Sequence, residues 1–196
     1  MAPLLFPVFL KLDTRKVLVV GAGPVAAAKL ATLRGTGACV SVVAPEACAA
    51  VEEAADRREL ALERRAFEPG DLRGAWLVIA AAPPLVNRAV ASAAAERCLF
   101  VNAVDDPAPA SAYAGGVVRR DGVTVAISTS GKAPALAGLL REALDAFLPG
   151  DLSEWIDKAA SLRVAHKAAK IPLAERRPLL LQALNRLYVV NGGGGS

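Results

Sequence analysis

The chain has 196 residues, of which 54% are apolar and 21% charged, with a formal net charge of +4. That fits one domain, or a domain with a smaller appendage, of soluble globular composition, and it excludes a disordered chain. No apolar run is long enough to span a membrane. Three scattered cysteines and one histidine, His166, offer no metal-ligand spacing, so the thiols read as small buried hydrophobes of a reducing cytosol.

Residues 4–10 lack a basic leader and a cleavage site and read as a strand lying on the domain rather than a signal peptide. Four aliphatic residues, 17–20, then make a buried strand that runs directly into Gly21-Ala22-Gly23-Pro24-Val25-Ala26. In such a Gly-x-Gly-x-x-Ala turn Gly21 permits the tight bend, Gly23 lets backbone approach a ligand, and Ala26 lets the helix lie on the strand. The free N–H groups and positive dipole end of the helix favour a pyrophosphate over the turn. Pro24 suits a first helical position. A second strand, 39–43, completes a β-α-β unit, and beyond it come Ala44, Pro45 and Glu46. The acidic residue that usually holds ribose hydroxyls thus comes late. No Arg or Lys stands immediately there to meet a 2′-phosphate, which favours NAD over NADP.

A helix over 47–58, a strand over 60–65, a buried strand over 76–81, a helix over 85–97 and a fifth strand over 99–104 follow. Strands alternating with helices predict a Rossmann-like parallel sheet with its ligand at the carboxyl edge. The pattern then changes to a hairpin, 113–119 and 123–128, joined through Arg120-Asp121-Gly122. Two strands are a poor independent sheet, and a pair projecting from such a unit often finds its partner in a second subunit. Helices are expected over 134–147, over 151–170, opened by an Asp151-x-x-Glu154 capping box, and within 173–188, starting near Pro178. The expected division is a nucleotide-binding domain (1–112), a hairpin-and-helix dimerisation region (113–148), a small helical domain (149–190) and a flexible Gly-rich tail (191–196).

Three stretches carry chemistry. Asn102-Ala103-Val104-Asp105-Asp106-Pro107 ends the fifth strand, where a carboxylate can act as a base, although Asp-Asp-Pro is equally ordinary turn chemistry. Ser128-Thr129-Ser130-Gly131-Lys132 runs into a helix and suits an anion, or merely caps that helix. Basic residues gather towards the carboxyl end: Arg119, Arg120, Lys132, Arg141, Lys158, Arg163, His166, Lys167, Lys170, Arg176, Arg177 and Arg186. Most read as solvated helix faces. As a lobe they could hold a polyanion, either a polycarboxylate small molecule or nucleic acid; against nucleic acid, no aromatic platform or reading motif is present.

These stretches, in this order, resemble the precorrin-2 dehydrogenase family, the amino-terminal module of siroheme synthase. The resemblance implies NAD-dependent oxidation of precorrin-2 to sirohydrochlorin in the cytoplasm, with insertion of ferrous iron into the product in some members. It also implies a homodimer joined through the region that begins with the hairpin, with no nucleic-acid or membrane partner. It places cofactor contacts on Pro24, Val25, Pro45 and Glu46; the glycine turn adds Gly21 and Gly23, and Ala81 and Asn102 are further candidates at the strand ends, with no metal ligands expected. The catalytic carboxylate falls on Asp105, not Asp106, and the substrate-binding loop on Ser128, Ser130, Gly131 and Lys132. Aromatising the macrocycle removes a hydride, which NAD⁺ accepts, and a proton, which needs a base such as Asp105. Where the family has Thr-Asp and further acidic residues, this chain has Ala82-Pro83-Pro84, so any contact made by those acidic residues is in question. The chain as given carries no methyltransferase module, so methylation is not expected of it. Two other readings stay open: a non-catalytic NAD-sensing module whose basic tail binds a partner or DNA, and a Rossmann enzyme acting on another polycarboxylate.

Overall fold

The run Lys16–Val20 (β1) is apolar on both faces, the pattern of a strand covered on both sides. In the computed structural model, which describes residues 4–104 and 108–191, β1 is the central strand of a five-stranded sheet. Its neighbours are Cys39–Val43 (β2) and Ala75–Ala80 (β4), with Ala61–Glu63 (β3) and Phe100–Ala103 (β5) outside them in the order β3-β2-β1-β4-β5. All four pairings are parallel. The sheet is therefore Rossmann-like, with its order reversing between β1 and β4.

The connecting helices are Pro24–Leu33 (α1), Ala49–Asp56 (α2) and Pro84–Ala95 (α3), and a 3₁₀ turn, Pro69–Leu72, precedes β4. Alternation sorts the strand residues onto two faces. Leu18, Val20, Val78, Ala80, Val101 and Ala103 share a core with Val90, Ala91 and Ala94 of α3. Val17, Val19, Val42 and Ile79 share the other with Ala26 of α1 and Val51 of α2. Each fully buried valine or leucine contributes roughly 1.5–3 kcal/mol. Register pairs Val20 with both Val43 and Ala80, and Ala80 with Ala103, so four strands end level at one carboxyl edge.

Residues 4–10 do not form the expected strand: they pair with neither sheet edge, and Phe6 is 87% exposed. Pro7 explains much of this, since it cannot donate to a ladder.

The chain groups into two compact units. The first contains everything up to Ala114 together with Ser130–Ala133, and the second contains Gly115–Thr129 and the chain from Pro134 onward. In the second, Gly116–Arg120 (β6) and Val123–Ile127 (β7) form an antiparallel hairpin in which Arg120 pairs with Val123. The turn is thus Asp121-Gly122 alone, with φ of 47° and 84°. Two successive positive φ values match the right-handed strand twist, which is why Asp-Gly makes such a tight hairpin.

Helix Pro134–Phe147 (α4) lies so close on β6 that a Cβ added to Gly116 would come within 2.9 Å of the Ala137 carbonyl. Arg120 ties the two together, donating to the Asp145 carboxylate at 2.8 Å and to the Leu148 carbonyl at 2.7 Å. Helices Leu152–Ala168 (α5) and Leu173–Asn191 (α6) complete the unit.

The capping box expected at Asp151 does not form. Its carboxylate makes no cap bond and instead accepts the Trp155 indole N–H at 3.1 Å. Likewise α6 begins at Leu173, ahead of Pro178. In the second turn a proline forfeits a single intrahelical bond, less than the rest of a long helix supplies. No described helix is long and apolar enough to cross a membrane.

Candidate functional site

The site begins with what the chain does to its own backbone at the carboxyl edge. Gly21 has φ of +103°, and a Cβ there would lie 2.3 Å from the Ala81 carbonyl oxygen. Around it the strand ends are stitched together. The Gly21 N–H donates to Val43 C=O at 2.9 Å, Ala81 N–H to Val20 C=O at 2.8 Å, and Val104 N–H to Ala80 C=O at 2.9 Å. Gly21 is therefore demanded by the packing of β1 against the turn after β4, independently of any ligand.

Gly23 differs. It has ordinary extended backbone, with φ of −80°, and a Cβ there would meet nothing within 4 Å. The space over Gly23 is open, and α1 starts beside it: Ala27 N–H closes the first helical bond on the Gly23 carbonyl. Ahead of that bond the Val25 and Ala26 N–H groups are first-turn donors outside the helical ladder. Pro24 and Val25 are exposed, and Ala26 is fully buried against the sheet. Open space free of side chains beside first-turn N–H groups fits a pyrophosphate.

Pro45 and Glu46 are exposed just past β2, on the far side of β1 from β4. On the near side Ala81 is half-buried and Asn102, on β5, is 9% exposed. The Asn102 amide N–H₂ donates to the Ala112 carbonyl at 3.0 Å, while its Oδ1 is buried and has no hydrogen-bond partner among the described residues. Asp105 and its neighbour Asp106 lie outside the described residues. Of the hydroxyl-rich loop, Ser130, Gly131 and Lys132 group with this first unit, and Ser128 with the second. All four are exposed. Ser130 and Gly131 take successive left-handed conformations, φ 55° and 75°, an uncommon backbone for serine.

Asn87 is a site-building residue that the sequence reading passed over. It is 3% exposed on α3, and its Oδ1 accepts the Ala82 N–H at 2.9 Å. It thereby orders Ala82-Pro83-Pro84, the stretch that departs from the family pattern, where no side chain caps α3. Its one signal was a polar residue between Val86 and Val90 on an otherwise apolar helix face. Several basic residues have local work: besides Arg120, Arg141 pairs with Glu142, and Arg176 donates to the Ile171 carbonyl. His166 is buried on α5. Among the described residues no group of three or more His, Cys, Asp and Glu side chains is placed to hold a metal ion.

Comparison with known proteins agrees with this fold. Over 190 residues the chain is 40% identical to the siroheme synthase of Photorhabdus laumondii subsp. laumondii, covering 95% of this chain and 40% of that one. Siroheme synthase 1 of Cronobacter sakazakii is 45% identical over 162 residues, which are 80% of this chain and 34% of that one. The chain thus spans about two-fifths or less of the curated relatives it matches. A solved structure of SirC, a precorrin-2 dehydrogenase, superposes with a TM-score of 0.70 over 91% of this chain and 88% of the other, at 23% identity, and so has the same fold. Residues 120–146 match the family described as "Sirohaem biosynthesis protein central". Residues 8–116, more than half of the chain, match the one described as "Putative NAD(P)-binding", and to that family the chain belongs.

Proposed function

We propose that this protein is an NAD-dependent dehydrogenase that oxidises precorrin-2 to sirohydrochlorin in siroheme biosynthesis, in the cytoplasm. The observation that carries the reading is the open space over Gly23 at the switch point of the sheet, in a chain related along 95% of its length to a siroheme synthase. In this reading residues 1–112 bind the cofactor, 113–148 join two subunits, and 149–190 form a small helical domain.

The N–H groups of Val25 and Ala26 hold the pyrophosphate, with Gly21 and Gly23 keeping the approach clear and Pro24 starting the helix. Pro45 and Glu46 receive the adenosine ribose, and Ala81 borders the path towards β5. When bound, NAD⁺ supplies the hydride acceptor. Asp105 takes the proton released as the macrocycle aromatises, and Ser128, Ser130, Gly131 and Lys132 hold carboxylates of the substrate. A homodimer is supported by the outer face of α4, where Leu136, Leu139, Leu140, Leu144 and Phe147 recur at helical spacing and are exposed.

Incubating the protein with precorrin-2 and NAD⁺ and following sirohydrochlorin absorbance tests the reading; absence of NAD⁺-dependent turnover by folded protein would sink it. Asp105→Ala is expected to lower turnover by about 10²–10⁴-fold while NAD⁺ still binds. Full activity in that variant removes Asp105 from the mechanism. Insertion of ferrous iron into the product is measured separately from NAD⁺ reduction.

A further inference from the structure

Building on the cofactor reading above, we infer that Asn102 is the residue that recognises the nicotinamide carboxamide, its Oδ1 accepting a hydrogen bond from the carboxamide N–H₂. Three observations converge on it. The first is the orphan itself: a buried acceptor left without a donor costs roughly 1–3 kcal/mol. Here the amide N–H₂ is anchored on the Ala112 carbonyl while Oδ1 has no partner among the described residues. That anchor also settles which amide atom faces away from Ala112, since the carbonyl accepts only from the nitrogen.

The second is the face on which Asn102 stands. Its neighbours Val101 and Ala103 belong to the core covered by α3. Asn102 therefore projects to the opposite face of the sheet, beside its register partner Ile79, whose core contains Ala22 and Ala26 at the start of α1. It shares a face with the helix that follows the glycine turn.

The third is direction along the edge. The adenosine ribose of a dinucleotide lies at the end of the second strand, here at Pro45 and Glu46, so the other half must extend across β1 towards β4 and β5. Asn102 is two strands from Gly21, about 10 Å at the usual spacing. The ribose that joins pyrophosphate to ring takes up the first of those spacings, which brings the ring to the second. Of the donors on that half, the carboxamide N–H₂ is the one carried by the ring itself.

Binding rather than turnover tests this, by calorimetry with NAD⁺, its 3-acetylpyridine analogue, in which a methyl group replaces the amide N–H₂, and ADP-ribose, which has no ring. The unaltered protein is expected to bind NAD⁺ about five- to tenfold more tightly than the analogue. Asn102→Ala should lose that discrimination and keep its affinity for ADP-ribose. Equal binding of NAD⁺ and the analogue by the unaltered protein overturns the assignment, and that arm needs no variant to fold. Discrimination retained in Asn102→Ala, or ADP-ribose weakened as much as NAD⁺, overturns it too. If the unaltered protein binds none of the three ligands, the cofactor reading itself fails, an outcome distinct from the others.

Discussion

Gly21 and Gly23 belong to one motif, yet they do opposite work. Gly21 is held at φ +103° with its missing Cβ pointed 2.3 Å from a carbonyl, so Gly21→Ala strains the backbone and collides with rigid main chain. A loss of roughly 2–4 kcal/mol in stability by urea unfolding is expected, with loss of dinucleotide binding as a consequence. Gly23→Ala meets no protein atom, so its stability should stay within about 1 kcal/mol of the parent, the cost of alanine at an N-cap. NAD⁺ affinity by calorimetry should nevertheless fall at least tenfold, because the new methyl stands where the pyrophosphate must approach. Similar stability losses for the two variants would show that the motif is merely a structural turn. The spacing Gly-x-Gly names both residues, but the division of labour depends on Ala81, sixty residues away in sequence.

Among the elements, the 3₁₀ turn before β4 depends most on charge. Asp71 accepts two bonds from the Arg65 guanidinium, at 2.6 and 2.9 Å, and the Glu68 N–H at 2.9 Å. Lys16, from β1, donates to the Asp71 and Arg73 carbonyls. The Arg65 bonds, aided by the Glu68 N–H and the Lys16 charge, hold the Asp71 carboxyl below its ordinary value. A depressed carboxylate pKa stabilises the fold above the unfolded-state value, and that contribution is lost as pH falls through the folded-state value. Asp71→Asn should therefore cost about 1 kcal/mol at pH 7. The difference from the parent should close in acid, which urea unfolding at pH 7 and near pH 3 will show; a gap independent of pH would assign the loss to shape rather than charge. Local chemistry predicted other elements well. Asp121-Gly122 makes its hairpin because Asp-Gly is one of the few pairs that readily take two positive φ values. It failed at Asp151, whose carboxylate is taken by Trp155, one helical turn on. It failed also at residues 4–10, where apolar composition resembled a strand but Pro7 cannot donate to a ladder and the segment joins neither sheet.

For the whole molecule the unbalanced feature is α4. Its inner face is closed by Gly116 and Ala137 against the hairpin, while its outer face exposes five large apolar side chains, Phe147 at 85%. A stripe of that kind at helical period suits a second copy of the chain. If α4 joins two copies as proposed, Leu139→Glu with Leu140→Glu should leave thermal unfolding of the monomer nearly unchanged, because both side chains are exposed, and should shift sedimentation equilibrium from the proposed dimer to monomer. An unchanged dimer would move the interface elsewhere. The two compact units also cross the chain order: Ser130–Ala133 group with the sheet although both flanking segments belong with the hairpin. A division along the sequence at one boundary could not have found this.

Sequence by itself determined the alternation of strands and helices, the glycine turn, the parallel sheet and the hairpin. These are local properties: burial shows as hydrophobic period, and turns show as glycine, proline and aspartate at set positions. It also sufficed to place Pro45, Glu46 and Asn102 at strand ends. Only the tertiary structure decided which glycine serves the fold and which leaves room for a ligand. It alone showed that Asn87 orders the turn after β4, and that Asn102 has one amide atom satisfied and the other without a partner among the described residues. Such facts depend on atoms far apart in the chain that meet only when the sheet assembles. Hydrogen-bond satisfaction and open space belong to the folded arrangement and to no single residue within it.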